Sequence, residues 1–414
     1  MTAATLNEPS EWRAHWPLIV CGMLGISTPM IAIYALGQFL LPLEQEFGWS
    51  RTQASMGLSI SLIVGFIASP LIGRIVDKTN VRWLALPGLV LLGFAIAAFS
   101  LATDNVAGWV GLWCLHALAS ALVAPTIWLA VVSAAFERNR SLAISICLSG
   151  TAIGSGFGPL VARFLLDSFD WRTAFQLLGL LWVTPALLFA ALFFFDPRPR
   201  TANVPGSAQD SRAGKDALGP ILLSPTFIKL AVVIAVTGVT ASAFSIHLVP
   251  ALSDKGIDLA QAATLAGIAG LSSVPGKLAA GALLDRYGTA RVATFIMGLF
   301  AAASILFALR IDGAAAAMLA CVMFGISTGA TFALSAVLTT KLFSASVFGV
   351  VYGTLMSIYA ISAAIGPLAI SAVYDISGSY SPAFWAGVGA AGLAAVLLSN
   401  LSPVRSTIHS PHQP

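Results

Sequence analysis

Twelve apolar stretches, each of about 20 residues or more and separated by short polar breaks, run through this 414-residue chain. They cover 17–41, 53–72, 83–103, 107–135, 141–166, 172–195, 226–250, 260–282, 289–309, 314–340, 347–373 and 381–401. A helix of about 20 apolar residues crosses the ~30 Å hydrocarbon core of a bilayer. Lipid offers no hydrogen bonds, so each such stretch must satisfy its own backbone, which a helix does. Composition agrees, with 58% hydrophobic and 9% charged residues against about 25% charged in soluble domains. A surface this apolar needs lipid as its solvent. The expected class is an all-α membrane protein with twelve transmembrane helices.

Several functions are set aside at this level. No basic stretch interleaved with aromatics suggests nucleic-acid binding. Cys21, Cys114, Cys147 and Cys321 each sit alone in an apolar run, so neither a disulfide nor a metal site is expected, and no cofactor is implied. Residues 1–16 are polar, with no cleavable signal, and the first span is expected to stay in the mature protein.

The largest polar break, 196–225, is rich in Pro, Gly, Ser and charge. It reads as a linker that divides the chain into a six-helix bundle over 1–195, a second over 226–402, and a tail over 403–414. Lys and Arg mark the cytoplasmic side of a membrane protein. With the amino terminus inside, fifteen of the 21 basic residues fall on the cytoplasmic side, four fall outside, and two, Arg163 and Lys277, lie within spans. Both termini and the linker are therefore expected in the cytoplasm, in the inner or plasma membrane of the cell.

The two halves share a register. Gly73-Arg74-Ile75-Val76-Asp77-Lys78 returns 208 residues later as Gly281-Ala282-Leu283-Leu284-Asp285-Arg286. The same offset carries Pro42 to Pro250, Gly48 to Gly256, Gln53 to Gln261 and Gly158-Pro159 to Gly366-Pro367. Repetition at half the chain length in a membrane protein points to two pseudo-symmetric units that move against each other. Gly73 and Gly281 allow close helix approach. Asp77 and Asp285 sit at a membrane edge, where a carboxylate caps a helix or pairs with Arg; Arg138 and Arg140 are candidate partners for Asp77. The phrase, with Lys78 and Arg286, reads as a cytoplasmic latch; the alternative is a basic anchor that fixes topology.

This twice-repeated G-x-x-x-D-[R/K] phrase, with twelve spans and a central loop, resembles the major facilitator superfamily over residues 12–402. The second copy fits closely; in the first, Asn80 and Val81 replace a glycine and a basic residue. Phe47-Gly48-Trp49-Ser50-Arg51, His247-Leu248-Val249-Pro250, and Gly366-Pro367 followed by Tyr374-Asp375 are similar to the bacterial monocarboxylate and oxalate/formate porter branch. The resemblance implies the major facilitator fold and a secondary transporter, not an enzyme. Two other motifs carry no chemistry. The glycines of 150–158 follow no strand, as a nucleotide loop requires, and lie in a membrane-spanning run, so they read as helix packing. Gly325-Ile326-Ser327-Thr328-Gly329 spells G-x-S-x-G inside an apolar helix, without the strand-to-helix turn of a nucleophile elbow.

Charge inside a membrane is costly, about 2.5–3.5 kcal/mol at the centre of a span, so Lys277 and Arg163 draw attention. Gly276-Lys277-Leu278-Ala279-Ala280-Gly281 resembles the Gly-Arg-x-x-x-Gly of the branch, whose Arg is implicated in holding a substrate carboxylate. Lys277 either holds a carboxylate as a point charge or snorkels to the interface. Arg163 stands near Asp167 and Asp170, as a rim ion pair or a substrate-attracting charge. His247 either contacts substrate or a proton or is interfacial, and His116 is expected to be structural. Tyr34, Gln38 and Phe39 on the first span and Tyr359 on the eleventh are candidate lining residues. One central cation suits one carboxylate, so the expected cargo is a small monocarboxylate, with or without a coupled proton, carried by a monomer in the bilayer. The alternatives are an exporter of amphiphilic drugs or metabolites and a transporter-derived sensor.

Overall fold

A computed structural model describes residues 11–136, 140–195, 221–287, 289–309, 314–343 and 348–399. The first half holds α1 (Glu11–Phe47), α2 (Arg51–Lys78), α3 (Arg82–Ala98), α4 (Val106–Ala121), α5 (Pro125–Ala135), α6 (Arg140–Leu148), α7 (Gly150–Ser168) and α8 (Trp171–Phe193). The second half holds α9 (Pro225–Ser253), α10 (Leu259–Tyr287), α11 (Thr289–Ala308), α12 (Ala314–Leu342), α13 (Phe348–Ser377) and α14 (Ser381–Ser399). Ten of the described helical stretches are long and apolar enough to cross a membrane. Of the other two expected spans, α10 is diluted by Ser272, Ser273 and Lys277, and α12 contributes the shorter apolar stretch Ala315–Thr331.

Two expected spans are broken helices. The fourth stops at Ala121 and restarts with Pro125 at the first position of α5, where a residue without an N–H costs nothing. The Val123 carbonyl freed by this break accepts a hydrogen bond from Trp128 Nε1 at 2.9 Å. The fifth is interrupted between α6 and α7 at Ser149.

The duplication is visible in the backbone. α2 begins at Arg51 and α10 at Leu259, one repeat apart. The turns before them place Gly48 and Gly256 at φ of 65° and 82°, a conformation that glycine adopts without a Cβ clash. Ser50 caps α2 in a capping box with Gln53, and its counterpart Asp258 accepts the Ala260 and Gln261 N–H groups. Gly158 packs on Ile31, Tyr34 and Ala35 of α1; Gly366 packs on Val239, Ser242 and Ala243 of α9. Each of those three contacts is displaced by the same 208 residues, so equivalent helices meet at equivalent positions in both halves.

Packing inside each half is apolar. Phe39, Phe99, Trp109, Trp113 and Phe175 form the aromatic centre of the first half. Phe244, Phe300, Phe307, Phe324 and Phe384 do the same in the second. The G-x-S-x-G glycines behave as packing residues: Gly325 faces the Ala269 carbonyl and Gly329 the Ser273 carbonyl, drawing α12 onto α10. The halves meet along α1 with α9, α2 with α13, and α7 with α10. α7 divides its glycines between two jobs. Gly150, Gly154 and Gly158, four residues apart, face α1, whereas Gly156 faces Gly267 and Leu271 on α10 of the other half.

Candidate functional site

Two polar assemblies join the halves. The first lies where the start of α7 meets α10. Lys277 Nζ donates a 3.0 Å hydrogen bond to Thr151 Oγ1 across the boundary between them. Lys277 is partly buried on a helix whose neighbouring Gly276 is pressed against the Ile326 backbone, so the ammonium is directed to the interface between halves by a tightly seated backbone. Tyr34 on α1 and Tyr359 on α13 come from opposite halves. Both are partly buried, beside Gly158 and Gly238 respectively.

The second assembly closes one end of the molecule, where α1 ends and α2 begins. Arg51 is its hub, with a side chain 10% exposed. Its Nε donates to Glu44 at 2.9 Å, its Nη1 to the Tyr380 hydroxyl at 2.6 Å, and its Nη2 lies 3.6 Å from Asp254. The guanidinium sits 3.6 Å over the Tyr374 ring, a cation–π contact that strengthens as water is removed. Asp375 of the second half accepts the Arg51 and Thr52 backbone N–H groups at 3.2 and 3.1 Å. A carboxylate from one half therefore sits on the exposed N–H groups and positive dipole end of a helix in the other.

Behind Arg51 the polar atoms form a ring. The Tyr380 hydroxyl lies 3.1 Å from His247 Nδ1, His247 Nε2 lies 3.1 Å from Ser371 Oγ, Ser371 Oγ lies 2.9 Å from Ser55 Oγ, and Ser55 donates to the Arg51 carbonyl at 2.8 Å. A neutral His247 protonated at Nε2 lets every member donate in one direction around the ring, the tautomer being assigned by the network. Burial holds the Tyr380 phenol above its ordinary pKa, although Arg51 pulls the other way, so it remains an O–H donor.

The expected site residues thus separate. Lys277, Tyr34 and Tyr359 lie along the boundary between halves. His247 is fully buried and belongs to the Arg51 ring, not beside Lys277. Gln38 is 4% exposed, with both amide atoms unpartnered. Phe39 is corrected from a lining to a core position: it is fully buried and stacked on Phe175 at 3.7 Å, because it lies about 100° around α1 from Gln38. His116 is buried among Phe99 and Trp113 as a structural residue. At the opposite end, the repeated phrase closes α2 and α10. Arg138 and the side chains of Gly73, Asp77, Lys78, Gly281 and Asp285 lie outside the described residues, while Arg286 is exposed, with its guanidinium 5.4 Å from the Tyr287 ring centroid.

Sequence reasoning missed the Arg51 assembly as a unit. Its signal lay in motifs already noted, since Arg51, His247, Tyr374 and Asp375 all sit in segments that resemble the porter branch.

The sequence profile of the Major Facilitator Superfamily matches residues 18–367 and again 230–413. The chain belongs to this superfamily. It is a multi-pass membrane protein of that superfamily. Among curated relatives, monocarboxylate transporter 12 of Mus musculus is 23% identical over 93% of this chain and 84% of its own length. Monocarboxylate transporter 13 of Rattus norvegicus is 26% identical over 67% of this chain, and monocarboxylate transporter 11 of Homo sapiens is 30% identical over 61% of it. The chain spans 63% and 52% of the length of those two relatives. Among solved structures, a nucleoside transporter superposes with a TM-score of 0.74 over 93% of this chain and 99% of its own, at 13% identity. A bacterial homologue of the lysosomal transporter Spinster, in an inward-facing and unoccupied conformation, superposes with a TM-score of 0.67 over 95% of both chains, at 15% identity. These structures share the superfamily fold and carry no further inference about cargo.

Proposed function

We propose that this superfamily member is a secondary active transporter that moves a small monocarboxylate across the cell membrane by alternating access. The observation that carries the reading is Lys277: a cation placed within an apolar helix, directed across the boundary between the halves, and bonded there to a neutral hydroxyl, Thr151. A cation within an apolar helix at the boundary between the halves can hold an anion as a point charge. The relatives named as monocarboxylate transporters support a monocarboxylate as that anion. Tyr34, Tyr359 and Gln38 supply neutral hydrogen-bonding groups along the same boundary.

With both termini in the cytoplasm, the Arg51 end faces outward. The Arg51 assembly is then the outer gate, drawn closed, and the described conformation is inward-facing. The repeated phrase at the other end supplies the inner latch. A proton accompanies the anion, either on the substrate itself or on a side chain of the path.

The test is uptake of radiolabelled monocarboxylates into proteoliposomes. Wild-type protein is expected to accumulate a monocarboxylate in response to an inward proton gradient, and Lys277→Gln to lose at least 90% of that uptake. Equal uptake by the variant would remove Lys277 from the site, and uptake of amphiphilic cations in place of carboxylates would replace the cargo class.

A further inference from the structure

The ring behind Arg51 is not repeated in the molecule. One repeat back, His247 becomes Phe39, Tyr380 becomes Arg172 and Ser371 becomes Arg163; one repeat on, Ser55 becomes Ala263. The first-half positions make separate contacts. Phe39 stacks on Phe175, Arg172 pairs with Glu46, and Arg163 pairs with Asp167 on its own helix. An apolar ring thus serves at this point of the repeated unit, and the bundle does not demand a histidine there. His247 is fully buried and titratable, and it is tied to the first half along two routes. One runs through Tyr380 to the Arg51 guanidinium, the other through Ser371 to Ser55.

The hydrogens of this ring leave no place for one more. Arg51 Nη1 donates to the Tyr380 hydroxyl at 2.6 Å, so Tyr380 turns its own hydrogen to His247 Nδ1, 3.1 Å away. His247 Nε2–H goes to Ser371 Oγ, which donates to Ser55 Oγ, which donates to the Arg51 carbonyl. A proton added at Nδ1 would face the Tyr380 hydrogen. Tyr380 would then receive two donors and lose the acceptor of its own O–H, a cost that burial makes large. The imidazolium would also stand one hydroxyl away from the Arg51 guanidinium, and like charges repel strongly where water is excluded. The nearby carboxylates are directed elsewhere. Glu44 on α1 and Asp254 just past α9 take the guanidinium, and Asp375 on α13 caps α2. Tyr374 lies over the guanidinium, and Lys277 on α10 is turned to Thr151.

We propose that His247 is a proton-operated lock on the Arg51 gate: neutral, it completes the ring that ties the halves together at this end, and protonated, it breaks the ring and releases them. Once the gate opens and water reaches the imidazole, the ring takes a proton near the ordinary histidine pKa of about 6.5. The open gate therefore binds a proton for which the closed gate has no place, so acid favours the open gate. The ratio of open to closed rises by about tenfold per pH unit below that value and is constant above it. Tyr380 also borders a cavity of about 300 Å³, lined with it by Asp254, Lys255, Tyr374 and Ser379, so a proton in that polar space is one residue from His247. The lock rests on the alternating-access reading above for the opening of this end, and it needs no cargo to operate.

The test follows the distance between spin labels at Ala107 and Ile376, exposed on opposite halves near this end, in purified full-length protein without cargo from pH 8 to pH 5. Wild-type protein is expected to hold a constant distribution above about pH 7 and to gain a longer distance in acid, the long-to-short ratio rising about tenfold between pH 6 and pH 5. His247→Gln, neutral at every pH, should show no such rise. Glu44→Gln, which removes a carboxylate from the gate and leaves the histidine, should keep a rise of the same steepness. A wild-type ratio that does not change with pH overturns the lock. So does a rise that persists in His247→Gln or disappears in Glu44→Gln, since either assigns the response to the carboxylates; the Glu44 variant decides the matter even if His247→Gln fails to fold. Uptake does not enter this measurement, so a failure of the carboxylate reading at Lys277 and a failure of the lock are seen separately.

Discussion

Burying a guanidinium demands many partners, and Arg51 obtains them from α1 of its own half and three segments of the other. Removing one partner of a buried pair costs about 3–5 kcal/mol, but Asp375 is solvent-exposed, and its link to the α2 amino terminus is worth closer to 1 kcal/mol. That is enough to shift a two-state balance about fivefold. Asp375→Asn is therefore expected to move the population toward an open gate. Spin labels at the exposed positions Ala107 and Ile376, on opposite halves near this end, should report a longer mean distance in the variant. An unchanged distance distribution would mean that the cross-half cap contributes nothing to closure. At this scale the sequence was only partly legible. Tyr34 and Gln38 are one helical turn apart, and their shared face could be read from spacing, as could the misplacement of Phe39. The ring could not, because Ser55, His247, Ser371 and Tyr380 look like ordinary polar residues near helix ends until packing brings them together.

Helices in lipid gain little from apolar contact with one another, so close approach through small residues does much of the joining. Two glycine crossings involve α10, and they differ in what they join. Gly329 belongs to the contact of α12 with α10, inside the second half; a Cβ there would meet the Ser273 backbone. Gly270 belongs to the contact of α10 with α7, between halves; a Cβ there would lie 2.6 Å from Gly156 N. Backbone atoms do not yield as flexible side-chain ends do. Gly329→Ala is expected to destabilise the protein by about 1–3 kcal/mol in any conformation, seen as a lowered Tm in detergent. Gly270→Ala should act on the conformational balance instead, lengthening the same Ala107–Ile376 distance with a smaller effect on Tm. Identical losses of Tm in both variants would contradict a division between fixed and moving contacts. Most helices, their glycine contacts and the common register were legible from the sequence, because apolar length and repetition are local signals. The breaks at 122–124 and at Ser149 were not, since apolar residues run through both.

The whole molecule is two copies of one unit, alike in their turns, caps and helix crossings and unlike at a few charged positions. On the transport reading proposed above, the likeness supplies equivalent bundles that rock against each other. The differences supply the chemistry: Ser69 stands where the second half has Lys277, Leu259 where the first has Arg51, and Ser371 where the first has Arg163. That duplication and superfamily membership could be read before any coordinates, whereas the end at which the halves are tied together could not, because charged residues flank spans on both sides of the membrane. The central claim is that a carboxylate sits at Lys277 between the halves. A ligand that binds the folded protein raises its Tm according to its affinity and concentration, so the most direct measurement is a thermal-shift series with monocarboxylates on purified wild-type and Lys277→Gln protein. The account predicts a concentration-dependent rise in Tm for the wild type that is lost or strongly reduced in the variant; an equal rise in both would contradict it.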